Sequence, residues 1–513
     1  MNTVPAHDSL WLAEARERPA AHPPPTADLT VDVAVVGGGI SGITTALLCK
    51  REGARVAVLE RGRIAGGATG FTTAKASALQ QTKLAQIRKR HDADTAAAYA
   101  AASTAALDWI EREVRERRID CGWERLPDVT YALDESQVDA VEQQAEAAHA
   151  AGLPVRATTA RAELPLPFDV PAAVVLDGMA QFQPVDYVRA LADQIPGDDC
   201  HLFEQTAVVA VEEGSPCAVT TDDGVTIHAG DVVVCTNYPL LDRGLFFART
   251  EATRSYLVAA RLRDEAQLPR AMAISAGEPT RSIRPYRDRD GRPWLLVGGE
   301  GHMTGADDAR PRRFEALERF AREHWDVTEV PYRWSTQDGM PSDSLPYAGA
   351  YTPRSRHLWV NAGHQKWGMT NATAGARVVA DLIAGRESPW AKLLDPNRVT
   401  ISAAPRVAKA QLWVGAHLIG DRLTPAEASS AEEVPAGEAR VVRAGLGKVG
   451  VHRDDDGALH AVSLRCTHLG CLLHWNGAER SWDCPCHGSR FSVDGEVIAG
   501  PATSALERRE PPA

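Results

Sequence analysis

Apolar positions along this chain fall into runs whose spacing predicts three regions. Val31 to Val36 is a Val-rich stretch of the kind found in a parallel strand buried on both faces. It passes through Gly37-Gly38-Gly39-Ile40-Ser41-Gly42 into Ile43-Thr44-Thr45-Ala46-Leu47-Leu48, which is helical in pattern. Arg55 to Leu59 reads as a second strand ending at Glu60. Residues 82 to 120, rich in Ala and charge, have helical periodicity and predict helices laid over this first unit. Shorter apolar runs punctuated by Gly, Pro and Asp fill 121–180 and 250–340. They predict two sequence-separated parts of one domain built on an antiparallel sheet. Residues 400–424 carry Ala, Val and Leu broken by Arg406, Lys409 and Arg422, the pattern of a packed connector helix. A membrane-surface helix is the alternative, although its basic residues are few. Pro425, Ser429-Ser430 and Pro435 mark a domain boundary within 425–438.

The first unit has the full order strand, GxGxxG, helix, strand, acid. The glycines allow a tight turn and close backbone approach to a pyrophosphate. The helix N-terminus stabilises the phosphate charge, and an acid at the end of the second strand reaches a ribose hydroxyl. A lone GxGxxG would be weak; here Glu60 stands about twenty residues on, as the motif requires.

Glu60 is followed by a glycine-rich stretch, Arg61 to Lys75. Three further landmarks come in order. Gln183-Pro184-Val185-Asp186-Tyr187 is the first, and Thr206–Val211 followed by Asp231–Asn237 is the second. Leu345–Gly349, Leu358–Gly363 and Trp367-Gly368-Met369-Thr370 make the third. Over residues 28 to 390 this order resembles the D-amino-acid-oxidase-like flavoproteins, which include glycine and sarcosine oxidases. The resemblance implies FAD, an α/β FAD-binding Rossmann-like domain (about 28–80, 200–245 and 345–390) and an inserted α+β antiparallel-sheet substrate domain (about 121–199 and 250–340). It implies FAD contacts at Gly37, Gly39, Gly42, Glu60, Arg61, Gly67, Thr69, Thr72, Thr73, Val208, Thr236, Gly363, Gly368, Met369 and Thr370. Lys75 is the catalytic candidate, a cation on the loop expected to approach the flavin, although a solvated surface Lys is an equally good reading. Tyr256, Arg284 and Tyr286 fall on segments of the substrate domain that could face the pocket. In the sarcosine-oxidase branch a Lys clamps the substrate carboxylate; Thr370 stands at that position, with Lys366 upstream, which argues against a simple amino-acid substrate. The absence of a second GxGxxG unit argues against a pyridine-nucleotide-driven reductase.

The densest chemistry lies at the other end. Cys466-Thr467-His468-Leu469-Gly470-Cys471 and Cys484-Pro485-Cys486-His487-Gly488-Ser489 are two loops separated by a hairpin-sized insert. Cys-x-His and Cys-x-x-His can both hold Zn²⁺. Two thiolates on one iron and two imidazoles on the other make a Rieske [2Fe–2S] centre instead. Residues 425 to 505 resemble the high-potential Rieske domains of respiratory and photosynthetic cytochrome complexes. On that resemblance Cys466, His468, Cys484 and His487 are the ligands of a small all-β Rieske domain, 425–513. Cys471 and Cys486 form the loop disulfide, and Gly500-Pro501-Ala502 is the proline loop over the cluster. Ser489 donates a hydrogen bond to the cluster, and Phe491 stands where the family has a donating Tyr.

Composition narrows the rest. The 513 residues suffice for two or three domains, and the net charge of −12 makes nucleic acid an unsuitable partner. No apolar run is long enough for a transmembrane segment, and charges in residues 1–20, including Asp8, Glu14, Arg16, Glu17 and Arg18, exclude a signal-peptide core. Residues 1–27 read as an N-terminal arm. Five of the nine cysteines are scattered, which suits a reducing cytoplasm. The expected protein is an FAD-dependent oxidoreductase acting on a small-molecule substrate, with an amine as one candidate. Electrons would pass through the cluster to or from an external one-electron partner protein. A flavin oxidase using O₂ directly, or a non-catalytic redox sensor or electron-transfer module, are the alternatives. No 2-His-1-carboxylate iron motif is visible in the sequence, which argues against a Rieske oxygenase.

Overall fold

The computed structural model describes residues 9–15, 22–158, 164, 166–306, 312–445 and 447–512. Part of the expected N-terminal arm, residues 1–8 and 16–21, lies outside them, with Asp8, Arg16, Glu17 and Arg18.

The Val-rich run is a strand, β1 (Leu29–Val36). It pairs in parallel with β2 (Val56–Leu59) on one side. β2 in turn pairs in parallel with β3 (His201–Phe203). On its other side β1 pairs in parallel with β4 (Thr226–Val234). Beyond it the sheet ends with β5 (Tyr347–Ala350) and β6 (Leu358–Ala362), in the order β5-β6-β4-β1-β2-β3. Both faces of β1 are covered. Val33 and Val35 join one apolar cluster, and Val31, Ala34 and Val36 join another. This is why the run shows no polar alternation.

A second, nine-stranded sheet carries the substrate domain. Its long strands Thr250–Leu262, Pro293–Met303 and Val327–Pro341 pair antiparallel. The short strand Lys75–Ala76 adds to its edge against Gln181 and Ala180, so the loop after Glu60 runs from the first sheet into the second. The Ala-rich region forms helices Lys83–Arg90 and Ala93–Glu116. The C-terminal part folds into a three-stranded and a four-stranded antiparallel sheet.

The connector is a helix, Ala404–Leu423. Its Leu418 packs against the C-terminal core, while Leu412, Ile419 and Leu423 are exposed. Among the described residues no helix is long and apolar enough to cross a membrane.

The N-terminus holds an element that the composition hid. Leu10–Ala13 is a short helix whose Leu10 and Trp11 are fully buried. Four residues give no readable periodicity, so only tertiary contact defines it.

At the first turn, Gly37 has a φ of +111° and Gly42 packs its α-carbon against it. A Cβ on Gly42 would sit 1.8 Å from the Gly37 carbonyl oxygen, so the loop would have to move. We expect Gly42→Ala to cost roughly 1–3 kcal/mol, the usual penalty of overpacking. It should also leave most of the purified protein without FAD. Urea denaturation and the flavin-to-protein absorbance ratio check both outcomes.

Candidate redox site

A cavity of about 640 Å³ opens at the C-terminal ends of β1 and β4, where an open α/β sheet holds its ligand. Gly37, Gly39, Glu60, Arg61, Gly67, Thr69, Thr72 and Thr73 line it, together with Val208, Thr236, Gly368 and Met369. Three expected contacts do not. Gly42 packs behind the glycine turn, and Gly363 sits with φ +70° against Pro341 and Tyr347. Thr370 is fully buried and its hydroxyl accepts a hydrogen bond from Gln80.

The turn and the loop after Glu60 are built as one object. The Glu60 carboxylate accepts from the backbone N–H of Gly38 (2.6 Å) and of Gly62 (2.7 Å). Burial pushes its pKa up, against those two bonds. Thr69 Oγ1 accepts from the Ile40 N–H at the helix start. Three successive carbonyls of the loop are then held from behind. Trp334 donates to Phe71 O (3.0 Å), Trp11 to Thr72 O (2.6 Å), and Arg284 to Thr73 O. This fixes which side of the loop faces the cavity. Arg284 also donates to Gln181 and Phe182, and Tyr286 stacks edge-on to Trp11. Arg284 and Tyr286 therefore hold the loop from its far side, whereas Tyr256 lines the cavity. Trp11 gives no sequence signal for this task, because nothing near it in the chain shares its partner.

Lys75 lines the cavity but is fully enclosed, and its ammonium donates to Ala273 O at 2.7 Å. Burial lowers its pKa to about 8, with Asp128 pulling the other way. Two further lysines are also on the wall, Lys83, which the sequence left unmarked, and the Lys366 noted upstream of Thr370. Lys83 bonds Gln365 Oε1 at 2.8 Å, and burial, reinforced by Arg90, Arg406 and Lys366, lowers its pKa to about 7. Lys366 bonds Ser255 Oγ at 2.8 Å. Gln365 and Lys366 both have positive φ, and this kink turns the displaced lysine onto the cavity wall.

At the C-terminal loops, Cys471 and Cys486 are joined as a disulfide, which ties the two loops together. Cys466 and Cys484 are buried free thiols that hydrogen-bond to each other. That bond favours the thiolate on one sulfur of the pair, pulling Cys466 down while Cys484 is pushed up. The His468 and His487 rings stand 5.0 Å apart and perpendicular. Burial, then the neighbouring His468, lowers His487 to about 4, which keeps it a neutral imidazole. Among the described residues, His468 Nδ1 and His487 Nδ1 are buried without a hydrogen-bond partner. Two adjacent buried thiols and two buried imidazole nitrogens without a hydrogen-bond partner fit a His₂Cys₂ cluster.

The FAD dependent oxidoreductase family model matches residues 32–382, and the Rieske [2Fe-2S] domain model matches residues 424–510. The chain belongs to the FAD-dependent oxidoreductase family. Its cofactors are FAD and, in the C-terminal Rieske domain, a [2Fe–2S] cluster. YhfW of Bacillus subtilis (strain 168), provisionally named a Rieske 2Fe-2S iron–sulfur protein, is 32% identical over 483 residues, 94% of each chain. The cytochrome b6-f complex iron-sulfur subunit of Chlorobaculum thiosulfatiphilum is 43% identical over 88 residues, 17% of this chain and 46% of that one. The fold of glycine oxidase from Geobacillus kaustophilus superposes with a TM-score of 0.60 at 22% identity, over 72% of this chain and 99% of that one.

In this oxidoreductase the Rieske domain supplies part of the cavity's wall. Ile498, Ala499, Gly500, Ala502 and Thr503, on and around the proline loop, line the same space as the glycine turn. Arg61 donates to Ile498 O at 2.9 Å. Gln337, on the cavity wall, donates to Gly488 O at 2.8 Å, one residue from His487. The outward nitrogen of His468 lies 2.8 Å from Asp242, and Phe247 meets both histidine rings edge-on. Asp242, Phe247 and Gln337 carry no motif; their role follows only from the docking of the two domains.

Ser489 Oγ accepts from the Ala502 N–H (3.0 Å) and its hydroxyl reaches Cys466, so one side chain joins the proline loop to a ligand sulfur. Cys466→Ser should remove the EPR signal of the reduced His-ligated cluster while FAD content stays at the parent level. Ser489→Ala should keep the signal and lower the midpoint potential, because a donor to sulfur favours the more negative reduced state. Dithionite-reduced EPR and protein-film voltammetry read the two effects.

Proposed function

We propose that this oxidoreductase removes two electrons from a small amine bearing a carboxylate, and that they leave one at a time through the Rieske domain to an external acceptor. The observation that carries this reading is the shared wall: the proline-loop segment of one domain lines the cavity built by the other. FAD supplies two-electron oxidation of the substrate, and the cluster supplies one-electron transfer. The chain's own residues do the rest. The glycine turn and the Thr69–Thr73 loop hold the FAD, and the four Rieske ligands hold the cluster. The Gln337–Gly488 and Arg61–Ile498 bonds keep the two domains in register.

Lys83 and Lys366 support the substrate class. Both are cations on the cavity wall, Lys83 beside Gln86 and Gln365 and Lys366 beside Asp338, and an ammonium suits a carboxylate. The names of the fold relatives point the same way. They include glycine oxidase, L-proline dehydrogenase and L-amino acid deaminase. Lys366 lines the cavity, which supports an amino-acid substrate despite the Thr at position 370. Delivery to a partner is favoured over direct use of O₂ because the proline-loop segment of the Rieske domain forms part of the cavity's wall. A cytoplasmic location is part of the same reading, from the five buried free thiols at Cys49, Cys121, Cys200, Cys217 and Cys235.

Anaerobic mixing with a panel of amino and imino acids should bleach the flavin and then generate the reduced-cluster EPR signal. In Cys466→Ser bleaching should persist, while reduction of a one-electron acceptor falls by at least tenfold. Bleaching by none of the panel, or full acceptor turnover in Cys466→Ser, would contradict the proposal. The pH response has a definite sign. Lys83 is cationic below about pH 7, so kcat/KM for a carboxylate substrate should fall as pH rises through that value. Lys83→Arg, whose charge persists, should flatten the profile; initial rates from pH 6 to 9 check this.

A further inference from the structure

The connector helix places His417 and Asp421 one turn apart, on one face. That face meets His474 on the Rieske strand His474–Asn476. Asp421 Oδ2 lies 2.9 Å from His417 Nδ1 and 2.9 Å from His474 Nε2. All three are partly buried, at 16%, 16% and 30% side-chain exposure, so the group is reachable from solvent.

Hydrogen bonding fixes the state of His474. Its Nδ1 lies 2.7 Å from the Gly305 carbonyl oxygen, which can only accept. Nδ1 therefore carries a proton, and in the neutral ring Nε2 turns a lone pair toward the carboxylate oxygen. A lone pair facing an anionic oxygen at 2.9 Å is repulsive. Either a second proton on His474 or a cation between the groups removes the conflict. A backbone carbonyl on the far nitrogen is the usual device that orients a metal-binding imidazole. The spacing fits as well. Metal bonds of about 2.05 Å separate their ligand atoms by about 2.9 Å at octahedral right angles and about 3.3 Å at the tetrahedral angle, so side-chain shifts of a few tenths of an ångström admit either geometry.

We propose that His417, Asp421 and His474 bind a divalent first-row transition-metal ion at a site separate from the Rieske cluster. Two imidazoles and one carboxylate suit Zn²⁺, Fe²⁺, Co²⁺ or Mn²⁺, whereas Mg²⁺ and Ca²⁺ prefer all-oxygen sets. The sequence showed no such triad because 53 residues separate Asp421 from His474; the fold assembles it. The ion fastens three parts of the chain at one point. They are the connector helix, the Rieske strand, and the Gly305 corner of the substrate domain. Trp413, one turn before His417, donates to Pro485 O between the cluster ligands, so the same helix also supports the cluster loop.

The test uses the holoenzyme washed with EDTA, with absorbance confirming that FAD and the cluster remain. Titration with ZnCl₂ by calorimetry should give one site per chain. Binding should weaken at least tenfold in Asp421→Asn and in His417→Ala. It should be unchanged in His460→Ala, which removes a different histidine paired with Asp454 and Asp494. Zn²⁺ should raise the thermal midpoint of the parent and of His460→Ala only. The absence of stoichiometric binding, or equal affinity in the parent and both triad variants, would overturn the proposal in favour of a doubly hydrogen-bonded imidazolium.

Discussion

The seating of two histidine rings on the flavoprotein surface is the contact on which the rest of this molecule depends. His468 and His487 stand against Phe247, with Asp242 on the outward nitrogen of His468. Their inner nitrogens are left buried and unpaired among the described residues. Leaving two polar atoms unsatisfied costs on the order of 1–3 kcal/mol each unless something binds them. A cluster bound by these nitrogens, as proposed, would remove that cost, so cluster assembly and domain docking would favour one another. A mismatch in either would leave buried lone pairs on one side and an exposed ring surface on the other.

The same docking shapes the FAD site. Arg61 leaves the glycine-rich loop to reach Ile498 O, and Gln337 leaves the substrate sheet to reach Gly488 O. Each is on the cavity wall and each ends on a Rieske loop. Close approach is enforced by size: a Cβ at Gly305 would meet the Pro485 backbone at 2.6 Å, although the positive φ of Gly488 leaves its own α-carbon against Ala252. A buried ion pair, Arg254 with Glu479, lies in the same interface. Burial lowers the Arg254 pKa, with Arg490 adding to that effect and Glu479 opposing it. Pairing of this kind fixes register more than it adds stability.

Charge in the cavity follows from the same economy of space. Lys75 and Lys83 are both enclosed, and burial lowers both, but their partners differ. Lys75 is spent on the Ala273 carbonyl with an acid nearby. Lys83 meets the neutral amide oxygens of Gln365 and Gln86 and further cations, so an anion entering the cavity gains more from it. Position in the fold, rather than residue type, separates a lysine that braces a loop from one that can hold a substrate.

What the sequence determined by itself is whatever short-range pattern encodes. The β1 run, the GxGxxG turn with Glu60, and the two Cys/His loops are each contained in a few tens of residues, and each has a physical reason to be contiguous. The glycines must make one turn, and the ligands must come from two adjacent loops. The two cofactors and the flavoprotein–Rieske order of the chain were therefore legible. Tertiary structure alone decided how these parts meet. Trp11 bonding Thr72, Thr370 turned toward Gln80, Lys366 kinked onto the wall, and Asp242 under His468 all join residues far apart in sequence. So do His417, Asp421 and His474. No periodicity records such pairs, because a side chain's partner across the core is set by the packing of whole elements and not by its neighbours in the chain.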